Sequence, residues 1–309
     1  MSDFQPGSGG WAERAAARVR RRLGAARQWR SPFDRGLLLT ARTDYRVRAL
    51  PAAFGVRVVE ADGTPRRVAV AEGGGRPLLI LPGLYAALTE GLFARLAELA
   101  AGAAAAAPAP GPSAPPTRRV QPRRTVWLVE DRLAAGTLAL TGGEVPSLTR
   151  LGAEVAALAH ALPEQPDALA LSAGAAAALA APPGTFARIA AWSGALDLWA
   201  TAENLAHHPV PRFHYAQVHR RAFRAAGLVP PPLASVPARL MAGAPCGLPP
   251  DPLLLVHAED DPVVPASVAR AAPLGEAQRA LLLPAGAHLG FGTLAGDAVY
   301  LEPFTEEDD

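Results

Sequence analysis

Short all-apolar runs alternate with amphipathic stretches along most of this sequence. RPLLILPGL (76–84), TVWLVEDR (125–132), DALALS (167–172), FARIAAWSG (186–194), DPLLLVHAED (251–260) and QRALLLPAG (278–286) each read as a strand buried on both faces. Between them, 85–101 (Leu88, Phe93, Leu96, Leu99), 147–162, the Ala-rich 173–181 and 266–274 carry helical character. Ahead of the series, GVRVVEADGTPRRVAVAE (55–72) holds two β-rich runs around Asp62-Gly63, a strong hairpin signal. Strand and helix alternating at this spacing predict an α/β fold, with a mostly parallel central sheet covered by helices on both faces.

Three stretches break the rhythm. Residues 1–36 read as a basic helical extension, with Trp11, Ala15, Val19 and Leu23 recurring on one helical face. Such a helix either docks on its own domain or makes weak peripheral contact with an anionic membrane through residues 11–30. Residues 1–30 are expected to show little order and to contribute little to stability. Residues 101–124 form a low-complexity Ala/Pro/Gly insertion that cannot pack a core. Residues 195–250, rich in Pro, His and Arg, look like an inserted cap. The organisation is therefore an extension (1–36) followed by one domain (37–309).

Composition narrows the function classes. Of 309 residues, 50% are hydrophobic and 19% charged, enough to bury a sizeable core. The single cysteine, Cys246, excludes a disulfide framework and a thiolate zinc site, and it permits a cytoplasmic location. All 30 basic residues are arginine, and eight of them lie in 1–36 against three acids. That stretch carries +5 of a net +2, so the remainder is at −3 and is not a nucleic-acid binder. No apolar run reaches the roughly 18 residues of a membrane helix, and no apolar segment follows the early arginines as a signal peptide requires.

Ala170-Leu171-Ser172-Ala173-Gly174 falls where an apolar strand runs into a helix. Small residues two before and two after a serine allow a sharp, strained strand-to-helix turn. The hydroxyl then stands above the sheet, and the next N–H points at a developing oxyanion. The plain alternative makes Ser172 a helix N-cap. Two partners follow in order: Asp261, in His257-Ala258-Glu259-Asp260-Asp261-Pro262 after one strand, and His288, in Ala285-Gly286-Ala287-His288-Leu289-Gly290-Phe291 after the last. Ser, Asp, His, each beyond a strand end, is the α/β-hydrolase order. Asp260 and Asp197 remain open as rival acids.

With those residues in view, the chain resembles α/β-hydrolases of the YheT-like group, related to abhydrolase-domain esterases and lipases. The resemblance spans about 36–295. It is carried by LLILPGL, ALALSAG, ARIAAWSGALDL, LLLVHAEDDP and above all AGAHLGF, with HYAQVHRRAFRAAG (214–227) similar to the group's cap helix. It implies Ser172 as nucleophile, His288 as general base, Asp261 as its orienting acid, and the backbone N–H groups of Leu84 and Ala173 as oxyanion donors. It departs from the group at Pro82-Gly83, where His-Gly is usual, at Gly174-Ala175 for Gly-Gly, and after Arg132.

The expected activity is hydrolysis of a small apolar ester or acyl substrate, without cofactor or metal. An acyltransferase on the same fold and a non-catalytic interaction protein are the competing readings. His207, His208, His214 and His219 cluster within a short stretch, but no acid stands at ligand spacing and Pro209 and Pro211 break their facing. Leu198, Trp199, Phe213 and Tyr215 supply apolar surface for a substrate or for the cap's own core.

Overall fold

The computed structural model describes residues 10–25, 49–102, 124–242 and 247–305. Among them run eight strands: β1 (Gly55–Ala61), β2 (Thr64–Ala71), β3 (Leu78–Leu81), β4 (Val126–Val129), β5 (Asp167–Leu171), β6 (Arg188–Trp192), β7 (Leu253–Ala258) and β8 (Gln278–Leu283). They form one sheet in the order β1-β2-β4-β3-β5-β6-β7-β8. β2 pairs antiparallel with β1 and β4, and every other pairing is parallel. Each expected strand is present.

The helices are α1 (Trp11–Ala25), α2 (Gly91–Ala101), α3 (Ala135–Leu140), α4 (Leu148–His160), α5 (Ala173–Leu179), α6 (Leu198–His207), α7 (Pro209–Ala225), α8 (Ser235–Met241), α9 (Ala266–Arg270) and α10 (Phe291–Ala295), with a 3-10 helix at Asp297–Phe304. Each face of the sheet carries its own core. Leu79 and Leu81 pack with α4 and α5 on one side, while Leu78 and Ile80 pack with α1, α2 and the 3-10 helix on the other. That double burial is why the central strands are continuous apolar runs. The hairpin turns at Asp62 and Gly63 with φ of 49° and 69°, as a two-residue primed turn demands. Ser147 caps α4 by accepting a hydrogen bond from Arg150 N–H.

At the N-terminus the expected helix is present and takes the docking alternative, but the expectation of little order fails. Instead of little order, residues 11–25 form a helix with Ala15 and Val19 fully buried. The Trp11 indole N–H donates to Pro303 O at 2.9 Å and its ring stacks on Phe304. Arg18 donates to the carbonyls of Glu302 and Pro303, both at 3.0 Å. Arg188, which opens β6, lies over the Trp11 ring, so α1 docks toward the strand N-termini. Periodicity found the face; what covers it is a C-terminal 3-10 helix that no pattern announced. α3 and α10 were also unforeseen, both being too short to show a period. Residues 26–36, most of the low-complexity insertion (103–123) and Cys246 lie outside the described residues.

The stretch expected as a cap is three helices, α6 to α8, inserted between β6 and β7. Among the described residues no helix is long and apolar enough to cross a membrane.

Candidate active site

Ser172 stands between β5 and α5 with φ 53° and ψ −119°, a conformation that costs on the order of 1–3 kcal/mol for a non-glycine residue. It makes no side-chain cap hydrogen bond, so the N-cap alternative fails. Close packing forces the turn. A Cβ on Gly174 would sit 2.2 Å from Leu81 O and 2.5 Å from Pro82 O, so only glycine lets α5 start against the end of β3. A Cβ on Gly83 would come 3.2 Å from Ser172 Cβ, which places the Pro82-Gly83-Leu84 turn directly against the serine.

The three residues foreseen from their order along the chain meet at the carboxyl ends of their strands. His288 Nε2 lies 3.0 Å from Ser172 Oγ, and His288 Nδ1 lies 3.0 Å from Asp261 Oδ2. All three side chains are buried. Nδ1 facing a carboxylate carries the proton, leaving the Nε2 lone pair to accept from the serine hydroxyl. The other oxygen of Asp261 accepts from Val263 N–H at 2.8 Å and Val264 N–H at 3.0 Å. Burial alone would raise the Asp261 pKa, but His288 and the Val263 amide outweigh it and hold the carboxyl below its usual range. His257, kept neutral by burial, donates from Nε2 to Val264 O at 3.0 Å and so braces the same turn.

The rival acids have other work. Asp260 Oδ1 accepts from Gly286 N–H at 3.0 Å and Ala287 N–H at 2.8 Å, fixing the loop that carries His288. Asp197 is an exposed N-cap of α6, accepting from Trp199 and Ala200 N–H, both at 2.9 Å. Beneath the His288 loop, the Trp192 ring meets Phe291 at 5.2 Å and Tyr300 at 4.8 Å, and the Tyr300 hydroxyl donates to Leu289 O at 2.7 Å.

Ser172 opens into a cavity of about 760 Å³. Leu84 and Ala173 line it beside the serine. Ala173 is the first residue of α5, so its N–H has no partner within the helix. The remaining wall is mostly apolar and comes from the insert, with Leu198, Trp199, Leu205, Val236 and Leu240 prominent. Phe213, expected beside them, is instead exposed on α7.

Four neighbours escaped the sequence reading. Tyr215 of α7 turns its phenol to the Ser172 side chain, and burial, with Asp261 and Glu90 nearby, pushes its pKa above the usual tyrosine range. Tyr85, at φ 65°, donates its N–H to Asp131 Oδ1 at 2.6 Å. Burial pushes the Asp131 carboxyl up to about 6. Burial, then the Asp131 charge, pushes Glu90 up to about 8. In the sequence Tyr215 reads only as apolar surface, and the others carry no motif. His219, grouped with the other histidines as a weak metal candidate, is bonded on both nitrogens to Tyr85 and Pro231. Among the described residues no group of three or more His, Cys, Asp or Glu side chains could hold a metal ion.

No sequence-family model and no curated protein matches the chain. Solved structures do. A serine hydrolase involved in carbazole degradation is 14% identical, with a TM-score of 0.50 over 79% of this chain and 94% of that one. An epoxide hydrolase from Vigna radiata is 13% identical (TM-score 0.48, 82% and 97% covered), and a bromoperoxidase from Bacillus anthracis is 11% identical (0.49, 80% and 99%). The strand order, the parallel core and the likeness to the first of these agree: the chain has the α/β-hydrolase fold.

Proposed function

We propose that this protein is a serine hydrolase that cleaves apolar carboxylic esters through an acyl-enzyme on Ser172. One observation carries the reading: the hydrogen-bonded relay Asp261–His288–Ser172, ending at the floor of an apolar cavity. His288 Nε2 takes the hydroxyl proton as Oγ attacks the ester carbonyl carbon, and the π pair moves onto the carbonyl oxygen. The N–H groups of Leu84 and Ala173 stabilise that oxyanion, helped by the positive end of α5. Asp261 keeps the imidazole in its reactive tautomer and stabilises the imidazolium. Collapse expels the alcohol, which takes the proton from His288. Water, deprotonated by His288, then attacks the acyl-serine and releases the acid.

These steps need no cofactor or metal. The apolar cavity wall supports an acyl or aryl substrate, and its size admits one larger than an acetyl ester. Affiliation with the YheT-like group belongs to the same proposal, supported by the AGAHLGF loop around His288. So does a cytoplasmic location, supported by the single cysteine. The test is hydrolysis of aryl esters of increasing acyl length by the purified chain. We expect cleavage that Ser172→Ala lowers at least about a hundredfold. Equal turnover by that variant would overturn the proposal.

A further inference from the structure

Tyr85 follows Leu84 and is held in the left-handed region at φ 65° without being glycine. Such a residue persists only where its surroundings over-determine it. Two bonds do so here. Its N–H donates to Asp131 Oδ1 at 2.6 Å, and its hydroxyl lies 2.8 Å from His219 Nδ1. His219 comes from α7 of the insert and is 2% exposed. Its Nε2 lies 2.8 Å from Pro231 O. A carbonyl oxygen only accepts, so Nε2 carries the proton; in the neutral ring, Nδ1 then accepts from the phenol. The Phe223 ring, one turn further along α7, packs on the imidazole at 4.9 Å between centroids. Burial keeps the Tyr85 phenol protonated and able to donate.

We infer that His219 is a positioning residue: through the Tyr85 hydroxyl it locks the turn that sets the Leu84 N–H, so the insert completes the oxyanion site. The inference rests on the proposed serine-hydrolase reading. Nothing else among the described contacts ties the Tyr85 hydroxyl down, and the chain Pro231–His219–Tyr85 runs from the insert to the residue beside the oxyanion donor. Losing it frees Tyr85 to leave φ 65°, and Leu84 N–H turns with it. Reorienting one donor by about an ångström costs on the order of tenfold to a hundredfold in the chemical step while leaving apolar binding intact.

The experiment compares kcat and KM for an aryl ester in the full chain and in Tyr85→Phe, His219→Phe, His219→Asn and the double variant Tyr85→Phe/His219→Phe. Thermal unfolding is followed in parallel. We expect each Phe variant to lose at least about tenfold in kcat with KM within about twofold. The double variant should be no worse than the poorer single one, because both cut the same chain. His219→Asn keeps an acceptor near the Nδ1 position and should recover most of the loss, even if His219→Phe folds poorly. Full kcat in Tyr85→Phe, additive losses, or no recovery in His219→Asn would overturn the inference. If the wild type shows no Ser172-dependent turnover, the parent proposal fails instead, and the two failures are told apart by Ser172→Ala.

Discussion

Asp260 and Asp261 are chain neighbours that grip one histidine loop at two places. Asp261 Oδ2 meets the His288 ring at Nδ1, 3.0 Å away, while Asp260 Oδ1 takes the backbone N–H groups of Gly286 and Ala287 just before it. In the proposed mechanism one carboxylate orients the base and the other holds the backbone that presents it. The two acids should therefore respond differently to the same substitution. Asp261→Asn replaces an acceptor facing Nδ1 with a donor or favours the wrong tautomer, and should cost on the order of 10⁴ in kcat. Asp260→Asn keeps an oxygen that can accept both amides and should stay within about threefold of wild type. Steady-state kinetics on one aryl ester separates them, and equal losses would mean that the roles are misassigned.

A second prediction concerns the glycine at the serine turn. A methyl group on Gly174 would enter the van der Waals shell of two backbone carbonyls, which cannot move aside as a flexible side chain can. Gly174→Ala should destabilise the fold by at least about 1–3 kcal/mol and lower kcat more than KM, because the strain falls on Ser172 itself. Chemical denaturation with parallel kinetics measures both. Wild-type stability in this variant would contradict the close packing.

Glu90 gives a pH prediction. Its folded-state pKa, about 8, is above the ordinary value of a carboxyl, because burial and then the Asp131 charge disfavour ionisation. The fold therefore favours the protonated form. Its contribution to stability is complete below the unfolded pKa near 4.5 and is lost as pH rises through about 8. Melting temperature should fall between about pH 5 and pH 9, and Glu90→Gln should flatten that part of the profile. A variant that declines as steeply as wild type would refute the assignment.

The N-terminal helix yields a prediction opposite to the one its composition suggests. With Val19 and Ala15 fully buried and Trp11 bonded to Pro303, deleting residues 1–25 uncovers part of a core and should lower the melting temperature by several degrees. The turnover of folded molecules should change little, since α1 docks near the strand N-termini, away from Ser172. A deletion that leaves the melting temperature untouched would show the docked helix to be dispensable. Membrane contact through this segment would require α1 to undock first, because its apolar face is already covered.

What could be read in advance followed the physics of each feature. The strands were legible because burial on both faces writes an uninterrupted apolar run, and the hairpin because Asp62-Gly63 suits a primed turn. Ser172, Asp261 and His288 were legible because a parallel sheet gathers strand ends in a fixed order. The sequence favoured Asp261, but separating the part played by its rival Asp260 needed coordinates, since both neighbours bind the His288 loop. Tyr85, His219 and Tyr215 were invisible as a group: they lie up to 134 positions apart and meet only where α7 packs on the turn that follows β3. The docking of α1 was one of the readings its pattern allowed, but its partner was not legible, because an amphipathic face states that something covers it and not what.

The central claim is that His288 activates Ser172 as a nucleophile. Labelling with a fluorophosphonate probe tests it most directly, because the probe reacts with an activated serine and marks the residue that attacked. Peptide mapping by mass spectrometry should find the adduct on Ser172 in the wild type, with none in Ser172→Ala and labelling slowed at least about a hundredfold in His288→Ala. An adduct on another residue, or labelling at the wild-type rate in His288→Ala, would contradict the account.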